Sequence, residues 1–392
     1  MRGGKERSEY KLKIAKADSK PEVEGYYLKT GKVESKGNSN LYLLANPRSG
    51  PWGSGGVPPA YAFSCRGSSC GGIGTLSFKP RTHNNMKLRV GVLQLNPQRG
   101  AIPSNIERAN KVLSSRLGGR PLDLLVLPEF GLHGYKYANR SELEPYLEGK
   151  DGGGPGIEWA KNTSRNLNCH VILGYPERGD NGKIYNSASL VDPMGDIAYN
   201  FRKSFLYETD EAFECAENER GFESVKIGEN LNIQVGICMD LNPYKFEAPF
   251  DAYEFANKAK ENKANLVVCP MAWLNSQSPS LLQKSHEEKM AARQQLEKEL
   301  DDSSPPETST VNYWALRMFP FLNGPKGFQN DKRVGFICAN RCGWEDDILY
   351  AGSSSIFTFN GKNTQSYSDS VEYYGSLGGQ QEDLLYREID ID

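Results

Sequence analysis

Histidine is scarce in this chain, with four residues in 392. They are scattered at His83, His133, His170 and His286. A zinc centre draws on imidazoles and thiolates at fixed spacings, and none is present. A Cys–His nucleophilic site needs an imidazole beside the sulfur. His286 sits in a charged stretch, and His133 and His170 have no recognisable partner motif. Among the eight cysteines the close pairs, Cys65/Cys70 and Cys338/Cys342, miss the CxxC spacing of a metal knuckle. Isolated thiols, with neither metal nor cofactor, are therefore expected. Long apolar runs are missing too. No segment reaches the roughly 18–20 apolar residues of a membrane span, no hydrophobic signal core follows Met1, and mean hydropathy is −0.60. Free thiols without a secretory signal point to a reducing compartment, the cytoplasm. The basic start MRGGKERSEYKLKIAKADSK invites a mitochondrial reading, against which Glu6, Glu9 and Asp18 count, because transit peptides are poor in acids.

The low hydropathy averages two unlike regions. Residues 1–85 carry 14 basic and 6 acidic side chains, and the remainder 33 and 43. A head of charge +8 thus precedes a body of charge −10. The head contains turn and linker chemistry such as NPRSGPWGSGGVPPA, with too few apolar groups to offset the entropy of ordering. Residues 1–85 read as a disordered extension, or as sequence upstream of a true start at Met86. The body, 86–392, is a folded domain. Its acidity, and a head without interleaved aromatic platforms, argue against nucleic-acid binding.

From Met86 the pattern is regular. KLRVGVLQL predicts a buried strand, with Leu88, Val90 and Val92 on one face. Ser104 with Glu107 suggests a capping box opening a helix that Gly118-Gly119 ends. Strands are expected at 122–127, 170–175, 233–238 and 265–270, and later in RVGFICAN, SSIFTF and LYREIDI. IYNSASLV and IAYNFRKSF, joined by DPMGD, read as a hairpin. Helices are expected near 156–167 and 252–260. Helices alternating with strands and hairpins indicate an α/β or α+β sandwich. Residues 275–310, including SHEEKMAARQQLEKELDD, break the rhythm and read as a solvated helical insertion.

Three polar residues stand at the ends of apolar runs: Glu129 in LVLPEF, Lys203 in FRKSFLY and Cys238 in VGICMDLNP. Each alone has a bland reading, a solvated charge or a small buried apolar thiol. Together they supply a nucleophile, a proton shuttle and a fixed cation for an oxyanion. Pro128 restrains the bend before Glu129. If the lysine segment is a strand, Arg202 and Lys203 face opposite sides, so only one enters a pocket. Gly236 permits close approach near Cys238, and the polar turn after it can expose the sulfur. Cys269 and Cys338 look like core residues.

These residues resemble the nitrilase, or carbon–nitrogen hydrolase, superfamily. RVGVLQLNP, LVLPEFGLHGY, FRKSFLYETDE, VGICMDLNP and ANRCGWEDDILYAGSSSIF fall in the family's order from about Leu88 to the C-terminus. RKSFLYETDE, GICMDLNPYKFEAPF and the charged insertion are most similar to the protein N-terminal amidases of the N-degron pathway. The resemblance implies a four-layer αββα sandwich, a homodimer through outer helices, and deamidation of N-terminal Asn and Gln of proteins to Asp and Glu. It implies Glu129, Lys203 and Cys238 as the catalytic residues, with the Met239 backbone N–H as a second oxyanion donor. A substrate α-ammonium calls for a carboxylate, for which Asp240 is the candidate. The family also places a second acid after the lysine. Glu208, Glu211, Glu214 and Glu217 compete for that role, and Glu214 is chosen. Three other readings stand: a small-molecule ω-amidase or carbamoylase of the same superfamily, an ammonia-supplying glutaminase domain, for which no synthetase region is present, and a non-catalytic module that binds N-termini.

Overall fold

The computed structural model describes residues 85–180, 182–323, 330–361 and 367–392. The disorder expected of residues 1–85 lies, apart from Asn85, outside the described residues. In the unit from Asn84 to Asp392, the longer strands in chain order are β1 (Met86–Gln94), β2 (Leu124–Val126), β3 (His170–Arg178), β4 (Ile184–Val191), β5 (Ile197–Arg202), β6 (Ser224–Ile227), β7 (Leu231–Val235), β8 (Leu266–Met271), β9 (Val334–Asn340), β10 (Ser355–Phe359), β11 (Val371–Ser376) and β12 (Asp383–Ile391). The longer helices are α1 (Ile102–Leu117), α2 (Pro155–Leu167), α3 (Glu254–Glu261), α4 (His286–Leu296) and α5 (Thr308–Arg317).

One sheet runs β12-β1-β2-β3-β4-β5, with the short strand Glu148–Gly149 added beside β3. The other runs β11-β10-β9-β8-β7-β6. Parallel strands occupy the centre of each, β1-β2-β3 and β7-β8-β9. Central parallel strands are covered on both faces, so their sequences are apolar almost throughout. LLV in β2 and LVVCPM in β8 are buried at every position.

The alternation of side chains then builds the layers. Leu88, Val90 and Val92 of β1 meet Ile233, Val235, Leu266, Val268 and Ile337 between the sheets. On the opposite face of the first sheet, Leu93, Leu125, Val171 and Leu173 pack on Ala109, Leu113 and Leu117 of α1 and on Ile157 and Ala160 of α2. Fully burying one such side chain favours the fold by about 1.5–3 kcal/mol. On the second sheet α3 lies against β7, where Gln234 Nε2 donates to the Phe255 carbonyl at 3.3 Å. Helix, sheet, sheet and helix stack as the expected αββα sandwich.

One local expectation is corrected. No capping box forms at Ser104, because α1 starts at Ile102 with Pro103 in its first turn. Proline suits that turn, where its missing N–H would have had no intrahelical acceptor. Ser104 Oγ donates instead to the Ala101 carbonyl at 3.0 Å. The edge strands β6 and β11 went unnoticed in the sequence, since they are short and mostly half-buried. Within the 275–310 insertion, α4 has no buried residue and is capped by Ser285, whose Oγ accepts the Glu288 N–H at 3.3 Å. Among the described residues no helix is long and apolar enough to cross a membrane.

Candidate active site

Beyond β2, Leu127-Pro128 carry the chain across β3 to Glu129. Gly174 of β3 makes the crossing possible, because a Cβ there would lie 2.5 Å from the Pro128 carbonyl oxygen and 2.7 Å from the Glu129 Cα. The next residue, Phe130, adopts φ 46°, a left-handed conformation that costs a non-glycine residue roughly 1–2 kcal/mol. The His133 and Gly134 N–H groups hold it by donating to the Phe130 carbonyl at 2.9 and 3.2 Å. Glu129 is thereby turned into the interior with no exposed surface. Its Oε1 accepts from Lys203 Nζ at 2.8 Å and from Asn186 Nδ2 at 2.6 Å, and its Oε2 accepts the Ala272 backbone N–H at 2.7 Å.

Lys203 follows the last residue of β5, and alternation separates it from its neighbour as expected. Arg202 donates to Glu177 at 3.0 Å, away from the site, and Lys203 is fully buried. Besides Glu129, its Nζ donates to Asp210 Oδ2 at 2.6 Å. Asp210 lies in a short helix, Glu208–Ala212, and folds back to accept the Tyr207 N–H at 2.9 Å. Its other oxygen accepts Tyr135 Oη at 3.0 Å and Asn186 Nδ2 at 2.8 Å. Burial alone would disfavour the Lys203 ammonium, but Asp210 and Glu129 outweigh it and hold its pKa well above the usual value. Burial pushes the Glu129 carboxyl up and Asp210 adds to that, against the pull of Lys203. A carboxyl raised in this way is suited to take and return a proton.

Cys238 comes after β7, not within it. The chain passes Gly236, where a Cβ would lie 2.5 Å from the Phe255 ring, and turns sharply at Cys238 with φ 45° to open a short 3-10 turn, Cys238–Leu241. The thiol is half-buried, whereas Cys169, Cys215, Cys269, Cys338 and Cys342 are buried. Burial raises its pKa well above the usual value, Glu129 raises it further, and Lys203 and the Ala272 N–H oppose them. The sulfur therefore shares one electrostatic environment with Glu129, Lys203 and Asp210. The Met239 N–H follows at the open N-terminal end of the turn, where helical donors lack intrahelical acceptors.

Asp240 is not a free carboxylate awaiting an ammonium. Only 2% exposed, it accepts the Ser204 N–H at 3.0 Å, the Phe205 N–H at 2.7 Å and the Ile237 N–H at 2.7 Å. It welds the turn that carries Cys238 to the segment that follows Lys203, and burial pushes its pKa up to about 7. Glu214 is also corrected. Its side chain is 69% exposed and pairs with Arg140 at 3.4 Å, away from the lysine. The acid beside Lys203 is Asp210, which sequence reasoning passed over among its glutamate neighbours. Asn186, bridging Glu129 and Asp210, was missed as well. A polar residue inside IYNSASLV, a strand buried at every position, was the available signal.

The arrangement brings Glu129, Lys203 and Cys238 together from three strand ends and adds Asp210 and Asn186. It can move a proton between sulfur and carboxylate, and it offers an ammonium and backbone N–H groups to a developing oxyanion. Residues 89–242 match the carbon–nitrogen hydrolase family. The chain is 31% identical to a protein N-terminal amidase of Saccharomyces cerevisiae, over 78% of this chain and 95% of that protein. Identity to a protein N-terminal amidase of Schizosaccharomyces pombe is 30%, over 69% and 90%. The crystal structure of an N-terminal amidase with an Asn-Glu peptide is similar with a TM-score of 0.71 at 31% identity, covering 78% of this chain and 98% of that one.

Proposed function

The chain belongs to the carbon–nitrogen hydrolase family, among the protein N-terminal amidases, and from that premise we propose that Cys238, Glu129 and Lys203 hydrolyse the side-chain amide of N-terminal Asn and Gln in proteins and peptides. Glu129 takes the thiol proton as Cys238 sulfur attacks the amide carbon. Lys203 and the Met239 N–H stabilise the tetrahedral oxyanion. The carbon–nitrogen bond breaks, Glu129 returns the proton to the departing amide nitrogen, and ammonia leaves a thioester on Cys238. Glu129 then accepts a proton from water, the resulting hydroxide attacks the thioester, and collapse expels the sulfur, which is reprotonated. Asp210 and Asn186 touch no reacting atom in this scheme; they orient Lys203 and Glu129.

The observation that carries this reading is one continuous network, in which Lys203 Nζ donates to Glu129 at 2.8 Å and to Asp210 at 2.6 Å beside a half-buried cysteine. Its two carboxylates exceed its one ammonium. A site of net negative charge favours a substrate that brings a free α-ammonium, without a role for Asp240. The six free cysteines among the described residues suit a reducing, cytoplasmic setting. A homodimer through the outer helices is part of the proposal, and sedimentation across a concentration series tests it.

The test of function is a panel of peptides differing only in the first residue: Asn, Gln, Asp, Gly and N-acetylated Asn. Ammonia release with a one-dalton gain is expected for free-amine Asn and Gln alone. Equal turnover of the N-acetylated peptide or of a free ω-amide would favour a small-molecule amidase, and peptide binding without ammonia release would favour a binding module.

A further inference from the structure

We infer that the buried His133–Glu148 pair is a positioning device for Glu129, and the inference rests on Glu129 being the proton shuttle proposed above. His133 lies four residues beyond Glu129 with no exposed surface, and its Nε2 is 2.7 Å from Glu148 Oε1. A carboxylate only accepts, so Nε2 carries the hydrogen. The other ring nitrogen, Nδ1, is buried without a hydrogen-bond partner. The imidazole is therefore fixed through its bond to Glu148.

Glu148 is itself immobilised. It is 2% exposed, and it accepts the Gly156 N–H at Oε1 and the Ile157 N–H at Oε2, each at 2.8 Å. Those are among the first N–H groups of α2, whose N-cap residue Gly154 has no side chain to cap them. Helix N-termini favour a negative group at this position, and Glu148 stays below the usual carboxyl range despite its burial, with His133 and these N–H groups as the causes. Space is made for the pair. A Cβ on Gly154 would lie 2.2 Å from Glu148 Cδ, and one on Gly156 would lie 2.9 Å from His133 Cε1. The Glu148 carboxylate fills the space that the run DGGGPG (151–156) leaves beside it.

From the ring, the restraint passes along the main chain. The His133 N–H donates to the carbonyl of Phe130, the left-handed residue next to Glu129. The His133 carbonyl accepts the Gly100 N–H at 2.9 Å and Tyr137 Oη at 2.7 Å. Pinning His133 thus pins the far end of the strained turn that aims Glu129, and it ties that turn to α2. A shift of about 1 Å in a catalytic group can cost on the order of 10²-fold in rate.

The experiment compares His133→Leu with His133→Gln, whose amide N–H can still reach Glu148. Rates on an Asn-peptide are expressed per Cys238 thiol of folded protein, the folded fraction being read from the near-ultraviolet circular dichroism of the same sample. The expected result is a fall in kcat of about 10²-fold for His133→Leu, with KM changed by less than about threefold, and recovery of most of kcat in His133→Gln. A core variant outside the loop, Ile389→Val, is expected to keep wild-type kcat per thiol. If His133→Leu does not fold, Glu148→Gln takes its place and is expected to show the same split. Wild-type kcat per thiol in His133→Leu, or in Glu148→Gln where it takes that place, or equal losses in the Leu and Gln variants of His133, would overturn the inference. Absence of any deamidation by the wild-type protein would instead overturn the function on which it rests.

Discussion

Lys203 Nζ donates to Asp210 Oδ2 at 2.6 Å, and neither side chain has exposed surface. Asp210→Asn removes a charge from this pair while leaving Glu129 in place. Breaking a buried pair by neutralising one partner typically costs about 3–5 kcal/mol of stability, so the melting temperature should fall. The sign of the pH effect follows from the same bond. Asp210 raises the Lys203 pKa, so its loss lowers that pKa, and the alkaline limb of kcat/KM should move to lower pH. An unmoved limb would remove Lys203 ionisation from the rate.

Asp240 gives the opposite kind of prediction, large in stability and small in substrate choice. Its folded-state pKa of about 7 exceeds the ordinary value of 3.8. The folded protein therefore holds a proton there that the unfolded chain has released. This contribution to stability is fully present below the unfolded pKa and is lost as pH rises through about 7. Melts across about pH 4 to 8 should show that decline more strongly in the wild type than in Asp240→Asn. The variant should lose about 1–3 kcal/mol for a buried N–H left without an acceptor, and its preference for free-amine over N-acetylated peptide should be unchanged.

Glu214 lies on the surface, paired at 3.4 Å with a half-exposed Arg140. Exposed ion pairs contribute little, about 0–1 kcal/mol. Glu214→Gln should leave kcat/KM within about twofold of wild type and stability nearly unaltered. A large kinetic loss would return Glu214 to the site.

How Cys238 ionises separates electrostatics from catalysis. Burial first, and Glu129 second, raise its pKa. In Glu129→Gln the second cause is gone, so the midpoint of the alkylation rate against pH, followed on the peptide containing Cys238, should shift down while deamidation is lost. A midpoint that shifts up would mean that Glu129 favours the thiolate.

Much of the site was legible because its reactive residues interrupt apolar runs. Glu129 after LLVLP, Lys203 in a segment rich in aromatics and Cys238 after VGI each stand just beyond the end of a strand. The central parallel strands were legible for the same reason, since covering both faces leaves long apolar stretches. Asp210 was not. Five acids lie between Tyr207 and Asn218, and only the fold-back of the helix Glu208–Ala212, which puts Asp210 on the Tyr207 N–H, turns that one inward. Asp240 misled for a related reason. Charge near a nucleophile suggested recognition of a cation, whereas three backbone N–H groups from two separate segments use up its oxygens, and such long-range partners leave no mark in local spacing. The His133–Glu148 contact likewise spans 15 residues and becomes visible only when α2 is seated.

The central claim is that a covalent bond forms at Cys238. Its most direct test is the mass of enzyme quenched during turnover of an N-terminal Asn peptide. The expected species is enzyme plus peptide less one ammonia, mapped to the fragment containing Cys238 and absent from Cys238→Ala, which should release no ammonia. Deamidation at the wild-type rate by Cys238→Ala, or an adduct on another residue, would contradict it.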